Sequence, residues 1–143
     1  MATDVNQYLG NPNLKKTNVP VEFTKEQIKE YQKCMDDPLY FIQEYMKIVS
    51  LDEGLVPFKM YDFQKTMVNT FHDNRFTICK LPRQSGKSTT IIAYLLHFVL
   101  FNPNVNVAIL ANKSSTARDI LGRLQLGYEH LPKWLQQGVI SWN

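Results

Sequence analysis

The sequence predicts an α/β fold: a partial parallel sheet with flanking helices, preceded by a helical segment. Three observations predict it. An apolar run at residues 75–80 leads into a polar loop ending in Gly86-Lys87-Ser88, and a strongly apolar helical stretch follows at once. Strand, loop, helix is the order in which a helix start offers its backbone N–H groups to an anion. Val105 to Ala111 is a near-continuous apolar run, the composition of a strand buried on both faces. Strands alternating with helices then argue for parallel pairing.

The elements follow in order. Residues 1–22 are polar, carry Gly10, Pro12 and Pro20, and read as an extended or mobile arm. Residues 23–74 read as a helical N-terminal segment. Thr24-Lys25-Glu26-Gln27 has the form of a capping box opening a helix over about 25–36 that buries Ile28, Tyr31 and Met35. Asp37 then caps a second helix with Pro38 at its first position. Its face of Phe41, Ile42, Tyr45 and Met46 reads as core. Ser50 to Pro57 reads as a loop, and Asp62 as the cap of a helix over 63–73. Residues 75–143 read as the first part of a P-loop NTPase core. The long helix after the loop carries Ile91, Ile92, Leu95, Leu96, Phe98 and Val99. Asn102-Pro103-Asn104 is a turn. Ser114 or Ser115 caps the next helix, Leu131-Pro132 ends it, and Val139 to Trp142 reads as a further strand.

Composition bounds the class. The chain has 143 residues, 44% hydrophobic and 20% charged, enough for one globular core. A net charge of +3 neither demands nor excludes nucleic acid. The apolar run Ile91 to Phe101 is short of the roughly 20 residues that cross a membrane, and no membrane partner is expected. Met1 to Gly10 lacks the pattern of a signal peptide. Cys34 and Cys79 lack metal-ligand spacing and read as reduced packing residues.

The loop chemistry names a ligand. Gly86 permits the backbone angles that close approach to phosphate requires. Lys87 is placed to contact the β- and γ-phosphates, and the Ser88 hydroxyl to hold Mg²⁺. Gln84, Ser85 and Gly86 offer backbone N–H groups. The cofactors implied are ATP and Mg²⁺. The first position of the usual G-x-x-x-x-G-K-[ST] pattern is Leu81 here, not Gly. Working ATPases of this kind also need an apolar strand ending in Asp, often followed by Glu. No such strand follows the loop. The chain therefore reads as the N-terminal part of a longer protein or a truncated frame, inactive by itself.

Several features together resemble the large terminase subunits of tailed bacteriophages, myovirus type. They are the helical N-terminal segment, Phe63-Gln64 ahead of the loop, and Leu81-Pro82-Arg83-Gln84-Ser85-Gly86-Lys87-Ser88 with its early arginine. Pro12 to Lys16, Tyr31 to Cys34, Ala93 to Asn102 and Ala108 to Lys113 are also similar. The resemblance implies an ATP-driven motor that moves double-stranded DNA into a prohead. It implies the portal protein and the small terminase subunit as partners, a homo-oligomer on the portal, and the host cell cytoplasm as the location. It implies a catalytic pair, Lys87 with Arg83, the arginine acting on the γ-phosphate in cis. A planar, always-charged fork suits that charge; the alternative is a solvated loop arginine. Gln64 resembles the glutamine that recognises adenine, whose N6 and N7 an amide can bond together. Phe63 or Tyr61 would line the base; the alternative is an exposed helix glutamine. The family's second acidic strand and its nuclease carboxylates fall beyond Asn143, so nuclease activity is not assigned.

Asn112, Lys113, Ser114 and Ser115 sit where a strand end meets a helix start, a place that can touch nucleic-acid phosphates or simply cap the helix. A DEAD-box-like helicase shares the order of glutamine before loop, although Leu81 argues against it. A non-catalytic nucleotide-binding fragment is the remaining alternative.

Overall fold

A computed structural model describes residues 6–50 and 52–142. Helices dominate it. Two antiparallel hairpins sit on the helical core, and a single parallel bridge joins the two ends of the described chain. The expected parallel sheet is not present among the described residues. Residues 75–80 and 105–111 run without ladder partners, and their apolar side chains stand in solvent: Phe76 is 82% exposed, Ile78 99% and Leu110 88%. An apolar run signals what a strand would bury, but a ladder requires a second backbone to bond. These two runs do not bond each other, so neither becomes a strand.

The first hairpin pairs β1 (Gln7–Tyr8) with β2 (Asn11–Lys15). The arm is thus folded back onto the core over these residues; residues 1–5 of the arm lie outside the described residues. Leu14 is buried in the core. Lys16 bridges to Val139 in parallel, with Val139 N–H donating to Lys15 O at 2.9 Å. This bridge is all that forms of the strand expected over 139–142. Gly138 lets the two backbones meet, since a Cβ there would lie 2.4 Å from Thr17 Cα. Gln136 locks the junction. Its Oε1 accepts from Lys15 N–H at 3.0 Å, and its Nε2 donates to Asn13 O, Tyr128 O and Leu131 O.

Helix α1 (Lys25–Asp36) opens with the expected capping box: Gln27 N–H donates to Thr24 Oγ1 at 3.1 Å, and Thr24 N–H to Gln27 Oε1 at 3.0 Å. Its buried residue is Cys34, whereas Ile28 and Met35 are exposed. Asp37 caps α2 (Pro38–Tyr45) through bonds from Leu39 and Tyr40 N–H. Glu30 ties the two helices, its Oε1 accepting from Tyr40 Oη at 2.7 Å and Tyr45 Oη at 2.9 Å. The expected loop at 50–57 is instead a hairpin of β3 (Lys47–Ser50) and β4 (Gly54–Pro57), with Leu51 outside the described residues. Gly54 supplies the positive φ at its turn.

Helix α3 (Asp62–Asp73) starts one residue earlier than expected, with Tyr61 rather than Asp62 at the cap position. Asp62 instead pairs with Lys65 at 3.1 Å. Helix α4 (Lys87–Phe101) is the spine of the fold. It packs against α2, α3 and α5 (Ser114–Glu129), burying Ile92, Ala93, Leu96 and Leu100. His97 is buried with them, its Nε2 2.9 Å from the Cys34 carbonyl. Helix α5 is capped at Lys113, not by Ser114 or Ser115, which become its first residues. It ends at Glu129, and Tyr128 Oη bonds the carbonyl of Gln137 in the turn beyond.

Candidate nucleotide-binding site

Residues 81–86 form a tight loop in front of α4. Gln84 and Gly86 both hold positive φ, 60° and 73°. Such alternation turns successive backbone N–H groups toward one concave side, the geometry of an anion nest. Gly86 is the N-cap of α4 and contributes no side-chain cap bond. The N–H groups of the first turn at Lys87, Ser88 and Thr89 are therefore open to an outside acceptor. The helix behind them is 15 residues long and points its positive end at the loop.

In this state the loop satisfies itself. Lys87 Nζ donates to the Pro82 carbonyl at 3.2 Å, and Ser85 Oγ donates to the same oxygen at 3.0 Å. Both groups thus share the Pro82 oxygen. Thr90 reaches back from the first turn, its Oγ1 donating to Gly86 O at 3.1 Å beside the backbone bond to the same oxygen at 3.0 Å. Pro82 O and Thr90 are members of this hydrogen-bonded loop that motif reading missed; a threonine three residues after the lysine was the available signal.

Gln64 is not an exposed helix glutamine: it is 2% exposed. Its Oε1 accepts from Tyr61 N–H at 2.9 Å, so the amide holds the start of α3. Its other end faces the loop before α4, because a Cβ built on Gly86 would lie 2.6 Å from Gln64 Nε2. Residue 86 therefore has two reasons to be glycine, its positive φ and the amide packed against it. Beside Gln64, the rings of Tyr61 and Phe63 stack with centroids 5.9 Å apart and 9° between planes, both exposed. Residues far apart in sequence, Gln64 and Gly86, are in this way brought together.

Arg83 is exposed and makes no ion pair among the described residues. Ser88 is half-buried and lines a cavity of about 250 Å³ with Ile91, Leu95 and Ile120 and with residues 108–110. The second apolar run thus passes beside the first turns of α4 without pairing. Asn112 and Lys113 follow it, exposed, at the start of α5. His72 and His130 stand apart from the loop. His72 meets the rings of Tyr94 and His97, and His130 Nδ1 bonds Leu126 O. No group of three or more His, Cys, Asp or Glu side chains arranged to hold a metal occurs among the described residues. No helix among them is long and apolar enough to cross a membrane.

Residues 78–141 match the family model of the terminase large subunit, T4-like virus type, N-terminal region. This match supports reading these residues as part of an N-terminal fragment of a large terminase subunit. The match takes in the loop at 81–86, α4 and α5 together. Large terminase subunits are in general ATPases of phage DNA packaging, with DNA and packaging proteins as partners. Gln64 and its ring pair lie before the matched residues, so the contact of Gln64 with Gly86 is an observation of the fold alone.

Proposed function

We propose that this terminase chain binds Mg²⁺-ATP at residues 81–88, as the nucleotide-binding part of a motor that translocates double-stranded DNA into a prohead. The observation that carries the reading is the loop itself: a left-handed Gly86 at the start of α4 with Lys87 folded onto the Pro82 carbonyl. That cradle fits a phosphate. A bound phosphate would outcompete a neutral carbonyl for the lysine, since charge-assisted bonds are roughly twice as strong as neutral ones. Lys87 would then neutralise the β- and γ-phosphates. The N–H groups of Gln84, Ser85 and Gly86 would line the anion, and the Ser88 hydroxyl would supply one oxygen to Mg²⁺.

Arg83, exposed and unpaired by acid, is free to swing toward the γ-phosphate. Gln64 and the ring pair of Tyr61 and Phe63 form the adenine side in this reading. Gln64 can offer its Nε2 to the base while its Oε1 holds α3. The portal protein, the small terminase subunit and further copies of the chain on the portal are the proposed partners, in the host cell cytoplasm.

Titration calorimetry of Mg²⁺-ATP tests this, comparing the wild type with Lys87→Ala. Heat in the wild type that disappears in the variant supports the site. Equal binding by both overturns it, and so does failure of the folded wild type to bind.

A further inference from the structure

Three elements meet around a cavity of about 290 Å³. The stretch Met46 to Val49 at β3 forms one wall, Thr89 and Ile92 of α4 a second, and Arg123 and Leu126 of α5 the third. None of residues 81–88 lines it, so it is a separate place from the candidate nucleotide site.

Each wall is held by contacts outside the cavity. Met46 is buried, and a Cβ built on Gly127 of α5 would lie 3.0 Å from Met46 Cε. The absence of a side chain at Gly127 therefore lets the hairpin seat on α5. The Met46 carbonyl accepts from Phe58 N–H at 2.9 Å, and the ladder from Lys47–Pro57 to Ser50–Gly54 stiffens the strand that follows. Helices α4 and α5 pack directly on one another. The space between the three walls is thus left open by packing that is fixed elsewhere.

The lining combines an apolar body with cations. Met46, Ile48, Ile92 and Leu126 are buried or half-buried. The two ionised residues in the lining, Lys47 and Arg123, are both positive and stand on different walls; no carboxylate lines the cavity. Lys47 makes no ion pair among the described residues. Arg123 Nη2 meets Asp119 at 2.9 Å, but both side chains of that i,i+4 pair are more than half exposed. Such a pair holds its partners weakly, and a guanidinium has further donors to offer. An apolar pocket with a few convergent polar groups is the general form of a small-molecule site.

We propose that this cavity binds a small amphipathic anion, a monocarboxylate whose apolar chain fills the space and whose head group meets Arg123 and Lys47. Burial of the chain drives binding, and the paired cations select the charge of the head. At roughly 30 Å³ for each water-sized group, 290 Å³ takes about ten of them, which is the number of non-hydrogen atoms in octanoate.

The test titrates octanoate, 1-octanol and octylammonium into the whole chain. Calorimetry reads binding, and methyl resonances read where it occurs. Octanoate should bind saturably and shift the methyl signals of Ile48, Ile92 and Leu126. 1-Octanol should bind about tenfold more weakly, in line with the loss of a charged hydrogen bond, and octylammonium more weakly again. Arg123→Gln, at an exposed position of α5, should weaken octanoate by about the same factor. Leu126→Trp, which fills the cavity, should abolish binding while leaving both cations in place. The proposal is overturned if the folded chain shows no saturable binding, or if octanoate binds no tighter than 1-octanol. Methyl shifts confined to other parts of the chain, or octanoate binding unchanged in Arg123→Gln, overturn it equally.

Discussion

Gly86→Ala should destabilise the protein by about 2–3 kcal/mol, and the structure divides that cost into two parts. The first is backbone. At φ 73° a Cβ faces the steric penalty of the left-handed region, roughly 1–2 kcal/mol. The second is Gln64. A Cβ 2.6 Å from its Nε2 is too close, so the amide must move. Movement breaks the 2.9 Å bond from Tyr61 N–H that holds the start of α3, a loss of about 1 kcal/mol. Thermal unfolding followed by circular dichroism should show a fall in Tm of about 6–12 °C, taking about 3–4 °C per kcal/mol for a domain of this size. A double-mutant cycle separates the two parts. In a Gln64→Ala background the clash is gone, so Gly86→Ala should cost about 1 kcal/mol less than in the wild type. Strict additivity of the two substitutions would refute the contact. A Gly86→Ala cost below about 0.5 kcal/mol would refute the strained loop as well.

Other outcomes follow from the core. His97 is buried neutral, and burial first, then His72, lowers its pKa against a raising bond to the Cys34 carbonyl. A lowered folded pKa means the unfolded chain takes up the proton first. Stability is therefore full above pH about 6.5 and falls as acid is added, a slope that His97→Gln should flatten in denaturant titrations at pH 7 and 5. Iodoacetamide should label exposed Cys79 in the native protein. Cys34 should react only after denaturation, being buried with its thiol pushed up to about 12 by burial and by Glu30. Gln136→Leu should cost about 3 kcal/mol, because it strips four bonds, two of which join the C-terminal turn to β2 and two of which hold it to the end of α5 and the turn beyond. Hydrogen exchange should then show β1 and β2 opening before α4; simultaneous opening would count against that anchoring role.

Local chemistry was legible in this chain wherever one segment contains both halves of an interaction. The Thr24–Gln27 box, the Asp37–Pro38 restart, the left-handed glycine before α4 and the long apolar α4 each form from residues close in sequence. Their hydrogen bonds and φ angles depend on neighbours in sequence, so residue types at short spacing suffice to specify them. The hairpin at 47–57 escaped notice because its strands are only four residues each and carry little alternation. Tyr61, with no cap-forming tendency, took the cap position because the Gln64 amide, buried against Gly86, reaches back to its N–H.

Pairing and burial were decided only in three dimensions. The apolar runs at 75–80 and 105–111 have strand composition, yet a ladder needs a second backbone at about 4.8 Å, and periodicity does not say where that backbone is. Nor does any local signal place Gln64 beside Gly86 or dock β2 against Gln136. Those depend on how α4 gathers α2, α3 and α5 around it. The sequence by itself determined the helices and the caps at Thr24 and Asp37, because each is a short-range matter of backbone angles and orphan N–H groups. The tertiary structure alone decided what those elements touch, because contacts between distant segments are set by packing.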